Sequence, residues 1–265
     1  MKATVLLFHD VVESGRFDLS GFQSPDANIY KVERMEFDHH LESIGQNASK
    51  PPVVVFDAPD VRARDVLITF DDGGVSAATI VAEMLESRGW RGHFLVTTDF
   101  IGKSGFLEPS QICDLSSRGH VIGSHTCSHP TRMAACSTKQ LDREWRESLA
   151  RLQDIMGSPV EVASVPGGYY AEHVAKTAAA AGIRHLFTSE PVTSVRKVDG
   201  CLVYGRFSIQ QGVRPQWIGS VVRGDLWPRV RSVAFWNAKK VLKKAGGTAW
   251  LEARRRIIAA RTKAN

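Results

Sequence analysis

Long apolar runs are missing from this sequence. Nowhere do about 18 consecutive apolar residues occur, and this excludes a membrane-spanning helix on sequence grounds. The apolar run at 4–8 is too short for the core of a signal peptide, and charge follows it at once. Internal repeats and low-complexity stretches are also absent, so the composition argues against repeat architectures and against disorder. We therefore expect a globular protein located in the cytoplasm.

Cysteine is scarce, and its spacing forms no recognisable pattern. The four cysteines are Cys113, Cys127, Cys136 and Cys201. None of them forms a C-x-x-C pair, and no secretory signal accompanies them. The sequence therefore predicts free thiols in a reducing compartment.

Acidic residues are rare in the last sixty positions. Residues 205–265 contain fourteen Lys or Arg against two acids, Asp225 and Glu252. This segment therefore has a net charge of about +12 and the rest of the chain about −6, which together give the total of +6. Apolar residues recur there at helical spacing, first from Val230 to Leu242 and again from Trp250 to Ala260. The pattern fits basic helices packed on the main domain, which we favour, and it also fits helices lying on an anionic membrane surface. No nucleic-acid-binding motif accompanies the charge, so we expect no nucleic acid.

Strands and helices alternate through the central part of the chain. Strands are predicted at 5–8, 66–70, 93–97, 121–122, 160–165 and 183–188, and helices at 35–44, 75–88, 110–118, 137–156 and 171–181. This order predicts an α/β fold with a parallel sheet and outer helices, either open or closed into a barrel. We expect a main domain at 1–210 and a basic helical C-terminal extension at 211–265. The polar residues that follow the strands should share one face of the sheet.

Two carboxylates follow the predicted strand at 66–70. Asp71 and Asp72 could divide two tasks, one binding a divalent metal and the other staying free as a general base. The sequence Asp-Gly is also common in turns, so the pair taken alone is equally compatible with a structural role.

A pair of histidines follows the strand at 121–122. His125 and His129 are four residues apart, and a helical turn would place both rings on one face, as two imidazole ligands of one metal ion require. Two structural histidines would give the same spacing. The Asp-Asp pair strengthens the metal hypothesis, because two His and one Asp leave open positions for water.

At these residues the chain resembles the polysaccharide deacetylases of the NodB-homology type. Thr69-Phe70-Asp71-Asp72-Gly73 matches the family's T-F-D-D-G motif, and His125-Thr126-Cys127-Ser128-His129 matches its H-[ST]-x-[ST]-H motif about fifty residues later. The resemblance covers roughly 66–189. It implies a distorted, incomplete (β/α) barrel of parallel strands.

The resemblance also implies roles for these residues. Asp72, His125 and His129 would bind one divalent transition metal, most simply Zn²⁺, with Ni²⁺ or Co²⁺ also suitable. Asp71 would be the general base.

The family's third motif, R-x-P-aromatic, is only partly present. Pro166 matches, while Ser164 stands in place of the arginine and Gly167 in place of the aromatic residue. A backbone N–H at Gly167 could still bind the oxyanion. Tyr169 could stack on a sugar ring, although a core position would explain it equally well. The missing arginine is the more serious departure, because in the family it orients the base.

The family's fifth motif, L-x-H, supplies the catalytic acid near the end of the domain. This chain has no His after His185, and only His9 has Leu two residues before it. The segment Leu7-Phe8-His9-Asp10 resembles the opening of a permuted branch of the family, the biofilm poly-N-acetylglucosamine deacetylases. We therefore predict that His9 protonates the departing amine.

Taken together, the motifs predict a metal-dependent amide hydrolase. Its substrate would be an N-acetylated amino sugar in a polysaccharide, an oligosaccharide or a lipid-linked glycan precursor, and removal of a formyl group is a variant of the same chemistry. A carbohydrate-binding module that keeps the fold without catalysis is the alternative, and the loss of the arginine at Ser164 is its best support.

Overall fold

The computed structural model describes residues 1–57, 64–234, 236 and 237. Its centre is a curled sheet of nine strands that forms a half-barrel. The strands of the chain are β1 (Thr4–Phe8), β2 (Val11–Val12), β3 (Val32–Glu33), β4 (Val66–Phe70), β5 (His93–Val96), β6 (Val121–Ser124), β7 (Val162–Ser164), β8 (His185–Phe187), β9 (Arg196–Val198), β10 (Cys201–Tyr204) and β11 (Phe207–Ser208). The order in the large sheet is β11-β1-β4-β5-β6-β7-β8-β10-β9, while β2 and β3 form a separate pair.

Neighbouring strands of the large sheet are parallel, except that β9 runs antiparallel to β10. Strands β10 and β11 are almost consecutive in sequence, yet they pair with β8 and with β1 respectively. Only Gly205 and Arg206 separate these two strands, so the two sides of the curled sheet lie close together at this point. The predicted α/β fold, a distorted and incomplete barrel, is confirmed.

Helices surround the sheet. They are α1 (Pro25–Asn28), α2 (Arg34–Asn47), α3 (Ala82–Glu86, continuing a π-helical turn at Ala77–Val81), α4 (Pro109–Ser117), α5 (Thr138–Met156), α6 (Glu172–Ala180) and α7 (Pro215–Arg223). The longest, α5, begins and ends as its sequence predicts. Ser137 and Gln140 form a reciprocal capping box, and Gly157 ends the helix with a φ of 68°.

Alternate residues of each strand serve two different cores. One set, including Leu6, Ile68 and Phe94, packs against the helices. The other set, including Val5 and Leu67, lines the concave side of the sheet in a smaller core. Side chains alternate between the two faces of a strand. Every second residue beyond the end of a strand therefore still faces the concave side of the sheet.

That alternation carries polar residues to the carboxyl-terminal end of the barrel interior. Asp71 follows Thr69 by two residues, His125 follows Gly123, and Arg206 follows Tyr204. Ser164 ends β7 in the same phase as Val162. These four positions are buried. One end of the barrel interior is therefore polar, whereas the rest is mainly apolar.

Two segments differ from the prediction. The region from Gly15 to Tyr30, predicted as a loop, contains the short helix α1, which begins at a Ser24 cap followed by Pro25. Helix α7, predicted as part of the C-terminal extension, packs on α2 through Ile218 and Val221 and shares its core. The domain boundary at residue 210 stays a prediction.

The basic C-terminal segment is described only in its first part. A helix continues over 226–234, and on it Leu226, Trp227 and Val230 are exposed. The predicted helices over 238–265 lie outside the described residues. Within the part of the chain that the structure describes, no helix has both the length and the apolar content needed to cross a bilayer.

Candidate functional site

The two carboxylates lie where β4 ends, and the backbone turns sharply between them. Asp71 still follows the strand, since its N–H donates to the carbonyl of Phe8 on β1 at 3.1 Å. Asp72 has a φ of 76°, an unusual conformation for a residue other than glycine. The turn sends the Asp71 carboxylate into the barrel and the Asp72 carboxylate towards the histidine loop. The pair can therefore hold two different positions at one site.

The histidine segment forms a tight loop, and this loop, not a helical turn, brings the two rings together. Thr126 and His129 both have positive φ values, 66° and 60°. The carboxylate of Glu144, from α5, accepts the backbone N–H groups of Cys127 and Ser128 at 3.0 and 2.8 Å and the Ser128 hydroxyl at 2.6 Å. Glu144 supplies the acceptors that helical carbonyls would otherwise provide.

The structure brings together the three residues predicted as metal ligands. The Nε2 atoms of His125 and His129 each lie 3.5 Å from Oδ1 of Asp72. One donor atom from each residue lies within 4.8 Å of the other two. Two donors bound 2.1 Å from one ion at the tetrahedral angle would be about 3.4 Å apart. The spacing and the donor types therefore fit a site for a divalent transition metal.

Asp71 lies beside this cluster, with Oδ2 3.9 Å from Nε2 of His125, and a buried ion pair fixes its direction. Arg206 donates from Nη1 and Nη2 to the two carboxylate oxygens of Asp71, each at 2.7 Å, and Ser164 Oγ donates to Oδ1 at 3.0 Å. Burial would raise the pKa of Asp71, but the guanidinium of Arg206 and the nearby His125 hold it well below its ordinary value. The carboxylate is thus ionised and fixed in direction.

Burial and charge also set the protonation of the predicted ligands. Burial lowers the pKa of His125 to about 4, against the opposing effect of Asp71. Burial would lower the pKa of His129 as well, but its hydrogen bond with Asp72 and the charge of that carboxylate raise it. Neutral imidazole is the form that binds metal, and His125 is neutral over most of the pH range.

Arg206 is the functional residue that sequence reasoning missed. Its side chain is fully buried, and its Nε also donates to the carbonyl of Thr188 at 2.9 Å. It lies on the link from β10 to β11, 135 positions from Asp71 in sequence. The available signal was its place in the strand alternation: Arg206 lies two residues after Tyr204 of an apolar strand, as Asp71 lies two residues after Thr69.

His9 lies near both carboxylates, at the end of β1. Burial would raise the pKa of Asp72, but its hydrogen bond with His129 and the nearby His9 ring lower it. The His9 ring packs against Tyr30 with 4.7 Å between centroids, and its buried Nδ1 has no hydrogen-bond partner among the described residues. The surroundings are compatible with the predicted acid, whose role stays a prediction.

Asp10, which follows His9, is hydrogen-bonded to the loop that follows Asp72. Its Oδ1 accepts from the hydroxyls of Ser20 and Ser76 at 2.5 and 2.7 Å. A side chain at Gly74 would overlap the Asp10 carboxylate, so glycine is needed there. Burial raises the pKa of Asp10, which is largely shielded from solvent. The hydrogen bonds of Asp10 therefore fix the end of β1 relative to the T-F-D-D-G motif.

The loop after β7 carries the predicted substrate contacts. Gly167 has a φ of 69°, and a Cβ there would overlap the carbonyl oxygen of Thr131. Glycine therefore lets this loop pack on the segment that follows His129. Tyr169 lies under the guanidinium of Arg132, 5.5 Å from ring centroid to Cζ, and is half-buried. The roles of Gly167 and Tyr169 stay predictions.

Several other polar residues have structural partners instead. His40 is buried and contacts the carbonyl of Val213 at 2.6 Å, as expected for a structural residue. Glu190 pairs with Arg196 at 2.8 Å, and the Arg196 guanidinium lies over Tyr170. These groups line an open cleft of about 770 Å³ beside α6. None of them belongs to the cluster around Asp72.

A half-barrel of parallel strands thus carries an Asp-Asp pair and two histidines at its carboxyl-terminal edge. Residues 58–186, just under half of the chain, match the family model described as polysaccharide deacetylase. Over this range the chain is similar to the polysaccharide deacetylase family.

Individual relatives show the same similarity. The chain is 22% identical over 227 residues to YxkH of Bacillus subtilis strain 168, which is assigned to the polysaccharide deacetylases; the match covers 83% of this chain and 76% of YxkH. A polysaccharide deacetylase from Bacillus cereus superposes with a TM-score of 0.70 at 18% identity, covering 84% of this chain and 69% of that one. The Streptococcus pyogenes deacetylase PplD, solved in complex with acetate, gives a TM-score of 0.66 at 20% identity, covering 82% and 96%. At these identities the structural matches establish the shared fold.

Proposed function

We propose that this protein is a metal-dependent deacetylase that hydrolyses the N-acetyl group of an amino sugar in a glycan. The observation that carries the proposal is the division of labour between the two adjacent carboxylates. Asp72 shares a donor cluster with His125 and His129, whereas Asp71 lies beside it and is held by Arg206. A hydrolytic site needs both a ligand set and a separate base.

Each residue then has a chemical task. A divalent ion held by Asp72, His125 and His129 would polarise the amide carbonyl and bring the pKa of a bound water to about 7. Asp71 accepts the proton of the attacking water, and its fixed carboxylate needs no reorientation to do so. The N–H of Gly167 donates to the oxyanion.

The departing amine needs a proton, and we assign its delivery to His9. An amine leaves a tetrahedral intermediate far more easily when it is protonated. His9 follows β1 and lies near Asp71 and Asp72. Its side chain is half-buried, so part of the ring is open to a substrate, whereas Nδ1 itself is buried.

The position of Arg206 bears on the alternative function, a non-catalytic binding module. The best argument for that module was the missing arginine at Ser164. In this chain an arginine does pair with Asp71, although it comes from a different part of the sequence. The base is therefore as well oriented as a catalytic site requires, which favours the enzyme.

The substrate is assigned at the level of its chemistry. The family and the acetate complex of PplD support an acetylated carbohydrate, and amide hydrolysis fits a site with both a base and an acid. A polysaccharide, an oligosaccharide or a lipid-linked precursor would each present such a group. Contact of the basic extension with an anionic membrane concerns residues outside the described range and stays a prediction, as does the zinc assignment.

Acetate release tests the proposal directly. The purified protein, loaded in turn with Zn²⁺, Ni²⁺ or Co²⁺, should release acetate from N-acetylglucosamine oligomers and should lose this activity with a chelator. The variant His9→Gln should retain its metal and show a kcat lower by about 10²-fold, the usual contribution of a general acid. Exposed His39→Gln is the matched control and should behave as wild type.

Two results would contradict the proposal. If no N-acetylated or N-formylated glycan releases its acyl group while metal binds stoichiometrically, the binding module becomes the better explanation. If His9→Gln is fully active, the acid must be sought elsewhere in the chain.

A further inference from the structure

Ser164 lies at the centre of a buried hydrogen-bond network that joins the two halves of the site. Its Oγ is 3.0 Å from Oδ1 of Asp71 and 2.5 Å from Nδ1 of His125. All three side chains are buried. The hydroxyl therefore bridges the predicted base and one predicted metal ligand.

The number of hydrogens in this network fixes the direction of each bond. Arg206 donates to both oxygens of Asp71, and such a bidentate partner keeps the carboxylate ionised, so that it can only accept. Ser164 has a single hydroxyl hydrogen, and it is directed to Asp71. The same hydroxyl must therefore accept from His125, which places the ring hydrogen on Nδ1. The other nitrogen, Nε2, then has its lone pair free for a metal ion shared with Asp72, whose Oδ1 lies 3.5 Å away.

Arg206 is fixed from every side. It donates to Thr188 through Nε and to Thr69 through Nη1 at 3.2 Å, in addition to its two bonds with Asp71. Its guanidinium also lies 5.7 Å from the centroid of the Phe187 ring. A planar guanidinium satisfied in this way aligns the carboxylate in one direction, which a lysine could not do.

We propose that Arg206 and Ser164 together replace the arginine that the family motif places at position 164. Arg206 orients Asp71, and Ser164 fixes His125 in the tautomer whose Nε2 can bind metal. Both are positioning residues, because they act through Asp71 and His125. This inference rests on the proposed function for its kinetic consequences, whereas its consequences for metal affinity and tautomer do not depend on any substrate.

The relocation explains why a serine is useful at position 164. An arginine there would orient the base but would place a positive donor next to His125. With the arginine at position 206, the small hydroxyl can serve base and ligand at once. Groups that hold a metal-binding histidine through its second nitrogen typically change metal affinity 10–100-fold when they are removed.

Four variants of the full chain separate the two roles: Ser164→Ala, Arg206→Lys, Arg206→Ser and the exchange Ser164→Arg/Arg206→Ser. We would measure the Zn²⁺ affinity of the metal-free protein by competition with a chelator. The tautomer of His125 would be read from ¹⁵N NMR of the metal-free protein at neutral pH. For each variant kcat and KM would be determined on an N-acetylglucosamine oligomer.

The two roles predict opposite patterns. Ser164→Ala should weaken Zn²⁺ binding by about 10–100-fold and should lose the uniform Nδ1–H tautomer. Arg206→Lys should leave the Zn²⁺ affinity and KM unchanged, while kcat falls by about 10-fold or more, because the carboxylate loses its bidentate partner. The exchange should recover kcat relative to Arg206→Ser but should keep the weakened Zn²⁺ binding of Ser164→Ala.

Three outcomes would overturn the inference. Unchanged Zn²⁺ affinity with an Nδ1–H tautomer in Ser164→Ala would remove the role of Ser164. Full kcat in Arg206→Lys would remove the role of Arg206, and this variant decides the question even if the exchange fails to fold. If wild type proves inactive on every glycan, the proposed function fails, while affinity and tautomer still test Ser164.

Discussion

The two ends of the barrel interior are built by the same strands, but they form different chemical environments. At the amino-terminal end the concave residues are mainly apolar and include Val5, Leu67, Val121 and Val162. At the carboxyl-terminal end they are Asp71, His125, Ser164 and Arg206. The change takes place within one or two steps of the strand alternation.

The two ends also differ in backbone conformation, because residues with unusual φ values are concentrated at the polar end. Four described residues other than glycine have a positive φ, and three of them, Asp72, Thr126 and His129, lie at the polar end. Such conformations cost about 1–3 kcal/mol each and persist only where surrounding contacts enforce them. The comparison shows that the apolar end stabilises the fold, while the polar end uses part of that stability to hold its side chains.

The largest expected effect comes from removing the proposed ligands at the polar end. The double variant His125→Ala/His129→Ala should lose stoichiometric metal at neutral pH and all measurable deacetylase activity, since one carboxylate cannot hold the ion. Metal content by elemental analysis is the measurement. Full occupancy in this variant would show that the ion binds elsewhere, and the comparison between the two ends would lose its chemical basis.

Next in size is the change Asp71→Asn. We expect metal content to be retained and kcat to fall by about 10²–10⁴-fold, the range for loss of a general base. The buried Arg206 would also lose its counter-charge, so the free energy of unfolding should fall by about 3–5 kcal/mol. Kinetics, metal analysis and urea unfolding measure the three quantities. Loss of metal in Asp71→Asn, with retention in Asp72→Asn, would show that the two acids have exchanged roles.

A substitution at the apolar end should have the reverse signature. Leu67→Ala removes a fully buried side chain and should lower the free energy of unfolding by about 2–5 kcal/mol, through lost burial and the cavity left behind. Metal affinity and kcat should stay close to wild type at temperatures where the variant is folded. A large fall in kcat without a fall in stability would mean that the two ends are not separable.

The smallest effect concerns His93, a buried polar residue among the apolar set. Its Nδ1 lies 2.9 Å from the carbonyl of Ile68, and its Nε2 accepts the N–H of Val55 at 3.0 Å, so a second ring hydrogen has no acceptor. Burial lowers the pKa of His93 to about 4. A lowered folded-state pKa means that this contribution to stability is complete above the unfolded value of about 6.5 and is lost as the pH falls towards 4.

Between pH 6.5 and pH 4, protonation of His93 should lower the free energy of unfolding by about 3 kcal/mol at most, since each pKa unit corresponds to about 1.4 kcal/mol. Unfolding free energies measured between pH 4 and 7 should therefore fall less steeply in His93→Gln than in wild type. His39→Gln, at an exposed position, should leave the slope unchanged. Equal slopes in wild type and His93→Gln would show that His93 does not carry this dependence.

The sequence predicted those parts of the site that are close together along the chain. Asp71 and Asp72 are adjacent, and His125 and His129 are four residues apart, so motif and strand alternation could locate all four. The local conformation of the histidine segment could not be predicted, because Glu144, from a distant helix, supplies the acceptors for that loop.

Arg206 could not be predicted in the same way. It meets Asp71 only because the two-residue link from β10 to β11 joins two sides of the curled sheet, and strands β9 to β11 were not foreseen. A pattern of apolar residues gives the face on which a side chain lies, but it does not tell which distant strand completes the sheet. Ser164 stands where the family motif has an arginine, and its role can be understood only from its contacts with Asp71 and His125 in the folded chain.

The late position of Arg206 in the chain has a consequence for biosynthesis. A nascent chain that has been made as far as Phe187 already contains both acids, both histidines and Ser164. Its half-barrel would bury Asp71 without a counter-charge, which is strongly unfavourable. The arrival of the β10–β11 segment supplies that charge, so the ribosome delivers the orienting group last. We therefore expect chains that end before Arg206 to lack the partner that aligns Asp71.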